Sequence, residues 1–180
     1  MAIATVPARE SRARSGFVLP THRIAFAKQL DILRAYAAAS GPERKAVNRN
    51  DIAKMMELSA TTISLALPFF SATGLLREES GGFVPSAEVF NYQLANEWDR
   101  DTAAQKLAPL LERQWFTERL MPKLRFSPVP EDDAITMLAE EASVGPDFKP
   151  QLRMILNYVC ECGVASRVDG CRAAPKIDRP

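Results

Sequence analysis

The stretch Asn48-Arg-Asn-Asp-Ile-Ala-Lys-Met-Met-Glu-Leu-Ser59-Ala-Thr-Thr-Ile-Ser-Leu-Ala-Leu-Pro-Phe-Phe-Ser-Ala-Thr-Gly74-Leu-Leu-Arg-Glu-Glu-Ser-Gly-Gly-Phe-Val-Pro85 decides how this chain folds. Asn48 or Asn50 caps a short helix, and Asp51 sits in its first turn, where the helix dipole favours negative charge. Leu58 ends that helix. Ser59 then offers its hydroxyl to the free amides of a second helix, whose core face is Ile63, Ala66, Leu67 and Phe70 at helical spacing. Gly74 supplies a left-handed stop, and Leu75–Arg77 and Phe83–Val84 read as two short strands around the polar turn 78–82.

Two short helices followed by a hairpin are a helix-turn-helix with a β-wing. The segment resembles the winged-helix superfamily over roughly Arg23 to Trp98. There a pattern Ser-x-x-Thr-(Val/Ile)-Ser-x-x-Leu, closing in Gly-Leu, forms the recognition helix. Ser59, Thr62, Ile63, Ser64, Leu67, Gly74 and Leu75 follow it in order, and Leu30, Ile32, Leu33 and Tyr36 fall in the preceding helix. The resemblance implies a mainly α fold with small β-wings, and binding of one helix in the major groove of double-stranded DNA. It also implies a transcription-regulator-like role and a homodimer, because such regulators often pair through helices flanking the wing domain.

The sequence departs from that pattern where DNA contact is expected. The outward positions of the second helix are Leu65, Pro68, Phe69 and Ala72, and no basic residue occurs between Ser59 and Gly74. Pro68 removes an amide inside the helix and predicts a bend. DNA affinity comes largely from neutralising phosphates, so other segments must supply the cations. Two readings follow. In one, Ser59, Thr61, Thr62 and Ser64 lie near the groove while Arg44, Lys45, Arg49, Lys54 and Arg77, with Arg12 and Arg14 of a basic arm, meet phosphate. In the other, the chain is an adaptor in a larger complex, docking a protein partner through Leu65, Pro68 and Phe69. Trp115 and Phe116 belong to an intersubunit or interdomain interface in either case.

Composition sets the frame. The 180 residues are 47% hydrophobic and 25% charged, as expected for a soluble globular chain with a formal net charge of +1. That balance is lopsided: residues 1–28 hold five basic side chains against one acidic, whereas 29–150 hold 13 basic and 18 acidic. No apolar run approaches the roughly 18 residues that span a bilayer, and the N-terminus lacks a secretory pattern, so a cytoplasmic protein is expected. The expected division is a flexible basic arm (1–22), a winged-helix domain (23–99), a second helical, winged-helix-like domain (100–172) and a flexible tail (173–180).

Within the second domain, Leu107, Leu110, Leu111, Trp115, Phe116, Leu120 and Met121 predict one amphipathic helical region ending near Pro122, too apolar to stand alone in water. Helices are also expected from Pro130 to a break at Gly145-Pro146, and from Lys149 to Gly163, followed by a strand over 164–168 and a turn at Asp169-Gly170. That order repeats the order of 51–82, as in a tandem winged helix; the alternative is a helical extension with a frayed tail ending in Pro175 to Pro180.

Catalytic signals are sparse. His22 is the only histidine, and no phosphate loop or dinucleotide-binding glycine motif occurs, so no enzyme and no cofactor is expected. Cys160, Cys162 and Cys171 offer three thiols, but the first two sit about 200° apart around a helix and a fourth ligand is missing, so no metal site is expected.

Overall fold

The computed structural model describes residues 16–168 and the backbone of 172–175. The chain is mainly helical with small antiparallel sheets. Arg12, Arg14 and Cys171 lie outside the described residues.

The first half runs α1 (Phe26–Ser40), α2 (Arg49–Met55), α3 (Ala60–Thr73), β1 (Leu76–Glu79), β2 (Gly82–Pro85) and α4 (Ala87–Trp98). Its boundaries follow from local chemistry. Asn48 accepts from the Asn50 amide at the start of α2, Ser59 from Thr62 at the start of α3, and Ser86 from Val89 at the start of α4. Gly74, at φ +80°, closes α3 in the left-handed conformation. Despite Pro68, α3 continues to Thr73.

Ahead of α2, Val47 forms an isolated antiparallel bridge with Phe83, so β2 is flanked by β1 on one side and Val47 on the other. Gly82 permits that close approach, because a Cβ there would lie 2.2 Å from the Val47 carbonyl oxygen.

The linker and second half run α5 (Arg100–Ala103), a 3-10 turn (Ala104–Leu107), α6 (Ala108–Leu111), α7 (Trp115–Leu124), β3 (Val129–Pro130), α8 (Glu131–Ala142), a second 3-10 turn (Pro146–Phe148), α9 (Lys149–Glu161), β4 (Ala165–Val168) and β5 (Arg172–Pro175). The strands β3, β5 and β4 pair in that spatial order, all antiparallel. Helix, strand, helix, helix, hairpin, with the first strand beside the last, therefore occurs twice: once with the single residue Val47 as first strand, once with β3.

The single helical region expected over 107–121 is broken. The chain turns at 112–114, where the Gln114 amide donates to the Leu110 carbonyl at 3.0 Å and to that of Thr73 at 3.1 Å, while the Thr117 hydroxyl donates to Leu111 O at 2.7 Å. These bonds satisfy carbonyls at the ends of α3 and α6. Pro122 does not end α7, which runs on to Leu124. The apolar side chains are nonetheless covered inside the chain: Leu107, Leu111, Phe116 and Leu120 are fully buried.

One buried cluster extends from Ile24 to Ala165. At its centre Phe69 of α3 meets Tyr158 of α9 at 5.0 Å and Phe116 of α7 at 6.3 Å, and Phe26 meets Tyr158 edge-on at 4.9 Å. Within Gly16 to His22, expected as part of a flexible arm, Phe17, Leu19, Pro20 and Thr21 are instead packed, while Gly16, Val18 and His22 stay exposed. Pro20 is buried and Phe17 stacks on Trp115 at 4.4 Å. Among the described residues, no helix is long and apolar enough to cross a membrane.

Burial pushes the Tyr36 and Tyr92 phenols up to about 12 and lifts Tyr158 well above its usual value. In the unfolded chain these groups lose protons near pH 10. The stability they contribute is thus fully present below pH 10 and is lost as pH rises towards 12, where the unfolded chain binds fewer protons than the folded one. Urea midpoints are expected to fall steeply between pH 10 and pH 11.5; a flat profile there would contradict the burial of the three phenols.

Candidate nucleic-acid interface

The exposed side of α2 and the N-terminal half of α3 form one polar face. Arg49, the first residue of α2, donates from Nη1 to the Ser64 hydroxyl at 3.0 Å, and Ser64 in turn donates to the Ala60 carbonyl at 2.8 Å. One guanidinium is thereby held against the second turn of α3. Ser59 and Thr62 share a hydroxyl hydrogen bond of 2.8 Å on top of the capping bond. Thr61 is exposed between them. The hydroxyls of Ser59 and Thr62 are thus partly committed to the cap, whereas Thr61 points to solvent with no protein partner among the described residues.

Charge separates the cations of this region into two groups. Arg49 and Lys54 are exposed and, among the described residues, have no carboxylate partner. Arg44 lies 5.2 Å from the centre of the Phe90 ring, a cation–π contact that orients it without neutralising it. Arg77, in contrast, is paired with Glu79 on the same strand, and Glu78 adds another negative charge to the hairpin. Lys45 is paired with Glu43. Arg77 and Lys45, both expected to meet phosphate, therefore carry a resident counter-charge. The Arg49 charge also reaches Tyr36, where burial raises the phenol and the guanidinium partly offsets it.

The second helix pair is electrostatically different. Both cations of α9 are paired, Lys149 with Asp132 at 2.8 Å and Arg153 with Glu131 at 2.8 Å.

The apolar stripe expected to face outward does not. Phe69 is 1% exposed and Leu65 is half-buried; of the three, only Pro68 is exposed. The helical spacing of Leu65 and Phe69 does turn them away from α1 and α2. That side of α3, however, is the one on which α7, α9 and the segment 17–23 pack. Leu65 and Pro68 end up in a cleft of about 340 Å³ shared with Phe17, His22, Phe148 and Gln151. Phe116 is fully buried and Trp115 half-buried beneath Phe17, so both serve an interface within the chain.

Cys160 is half-buried and Cys162 fully buried. Burial raises the Cys160 thiol to about 11 and that of Cys162 further, so both hold their protons at neutral pH.

Periodicity could not reveal that Arg49 would sit on Ser64, since the two belong to different helices. The signal available was only that both residues lie near the starts of adjacent helices. Compared with known proteins, the chain matches no family model, no curated protein and no solved structure.

Proposed function

We propose that the chain is a winged-helix protein that binds double-stranded DNA, with the first turns of α3 entering the major groove and Arg49 and Lys54 meeting the backbone. The observation that carries this reading is the Arg49 guanidinium, held on the Ser64 hydroxyl at the exposed end of α3 without a carboxylate to neutralise it. The twofold order of helix, strand, helix, helix and hairpin supports the winged-helix assignment. A fold of this kind serves several functions, so charge and exposure carry the rest. The N-terminal residues of the second helix are those that reach base edges in helix-turn-helix complexes, and at the start of α3 the cap Ser59 and Thr61 are exposed. A role in transcription regulation is the simplest use of such contacts. The adaptor alternative loses its docking face, because Phe69 and most of Leu65 are covered by the chain itself.

Fluorescence anisotropy with a labelled duplex tests this. Affinity is expected to fall steeply between low and physiological salt. Arg49→Ala weakens binding to all sequences alike and lowers the salt slope by about 1, whereas Thr61→Ala alters preference among sites. Arg12→Ala with Arg14→Ala acts as Arg49→Ala does. Arg77→Ala has a smaller effect, because Glu79 already occupies that guanidinium. Absence of duplex binding at low salt removes the proposal.

A further inference from the structure

The two helix pairs make the same contact at the same place with opposite charge. Arg49 is the first residue of α2 and reaches Ser64, five residues beyond the cap of α3. Glu131 is the first residue of α8 and reaches Arg153, five residues beyond the cap of α9. Each of the two leading residues closely follows its short strand element: Arg49 comes after Val47 and the cap Asn48, and Glu131 comes directly after β3.

In the first pair the partner of the guanidinium is a neutral hydroxyl, and the positive charge stays available. In the second pair a carboxylate stands at the leading position and gathers cations. Arg153 Nε donates to Glu131 Oε1 at 2.8 Å, and Arg167 Nη1, from β4, donates to Oε2 at 2.9 Å. Arg167 also donates to Asn157 Oδ1 at 2.7 Å and lies 3.8 Å from Glu161. Each oxygen of one carboxylate thus holds one guanidinium, the same arrangement with which two arginines hold a phosphate. Burial works against ionisation of Glu131, yet the hydrogen bonds from Arg153 and Arg167 prevail and hold its carboxyl below the usual range. Arg153 remains half-exposed, so the cluster borders solvent.

We propose that Glu131 is an internal anion occupying a two-arginine phosphate site on the α8–α9 pair, a site whose external ligand is a nucleic-acid backbone phosphate. The consequence, which rests on the duplex-DNA reading above, is that only the α2–α3 pair engages the backbone while Glu131 is in place. A phosphate entering the second site must displace a carboxylate already tethered beside both arginines.

The test uses the full chain and a labelled duplex across a range of salt. Glu131→Gln is expected to tighten binding roughly tenfold at low salt and to steepen the salt slope by one to two phosphates. The double change Arg153→Ala, Arg167→Ala in the natural sequence should leave affinity and slope unchanged, and combined with Glu131→Gln it should cancel the gain. A folded Glu131→Gln protein with unchanged affinity and slope overturns the proposal, as does weakened binding on removing the two arginines alone. Should Glu131→Gln not fold, Glu131→Ser, which copies the hydroxyl of the first pair, carries the same expectation.

Failure of the duplex reading is distinguished by the unaltered protein. If it binds no duplex at low salt, that reading falls, and binding of heparin then decides the internal anion by itself. A gain in heparin affinity with Glu131→Gln, lost again without Arg153 and Arg167, supports it, and no gain overturns it.

Discussion

Phe69→Ala is expected to destabilise the whole chain by about 3–5 kcal/mol, the range for removing a buried phenyl ring from a packed core. Phe69 is 1% exposed and touches Phe116 from α7 and Tyr158 from α9, so the cavity opens at the seam between the two halves. Because one buried cluster crosses that seam, urea unfolding should remain a single transition with a lower midpoint. Two resolved transitions, one unaffected by the substitution, would show that the halves do not share this core. The neighbouring side chain supplies the control. Leu65→Arg can extend its charge from the half-buried cleft into water, whereas Phe69→Arg places a guanidinium among aromatic rings with no partner. The first variant is expected to fold and the second to unfold.

That contrast also marks where the sequence is readable and where it is not. Ser59 and Gly74 act through their own backbone neighbours, so the two ends of α3 could be read from single residues. The break at Gly145-Pro146 is local in the same way, and the 3-10 turn over Pro146–Phe148 follows it. Phe69 is different. Periodicity places it on the side of α3 opposite Ile63 and Phe70, which is correct, but periodicity refers to one helix. It carries no information about a second layer arriving from residues 115 and 158. The same limit applies to the break after Leu111. It depends on Gln114 finding the carbonyl of Thr73, some 40 residues earlier, as well as that of Leu110.

For the candidate interface, the residue types were legible and their electrical state was not. Arg49, Lys54 and Arg77 look alike in sequence. Only the fold shows that Glu79 neutralises Arg77 while Arg49 has a hydroxyl for a partner. Exposed ion pairs contribute little to stability, but they change how much free charge a surface offers to phosphate. The packing within 17–22 escaped for a related reason. The apolar residues of that segment are too few for a periodic pattern, and they are held by Trp115 and by a side chain of α1.

That side chain is Gln29, and its replacement gives the second large expected effect. Gln29 is fully buried. Its amide nitrogen donates to the carbonyls of Thr21 and Ile24, both at 2.8 Å, and its amide oxygen accepts from the Tyr158 hydroxyl at 2.7 Å. One side chain therefore ties the N-terminal segment, α1 and α9 together. Leucine is of similar volume, so Gln29→Leu leaves little cavity but strips the partners from two carbonyls and a phenol. Each stranded polar group costs roughly 1–3 kcal/mol, less where water can reach it, as beside the half-buried Thr21. The expected loss is about 3–5 kcal/mol by urea denaturation. Tyr158→Phe removes only the hydroxyl, leaving a single acceptor short of one bond, and should cost about 1–2 kcal/mol. If the three bonds act as one unit, the double variant is less destabilised than the sum of the singles by about 1 kcal/mol or more. Strict additivity, or a Gln29→Leu protein within 1 kcal/mol of the natural one, would mean that water replaces the amide at this junction and that apolar packing alone holds the segment in place.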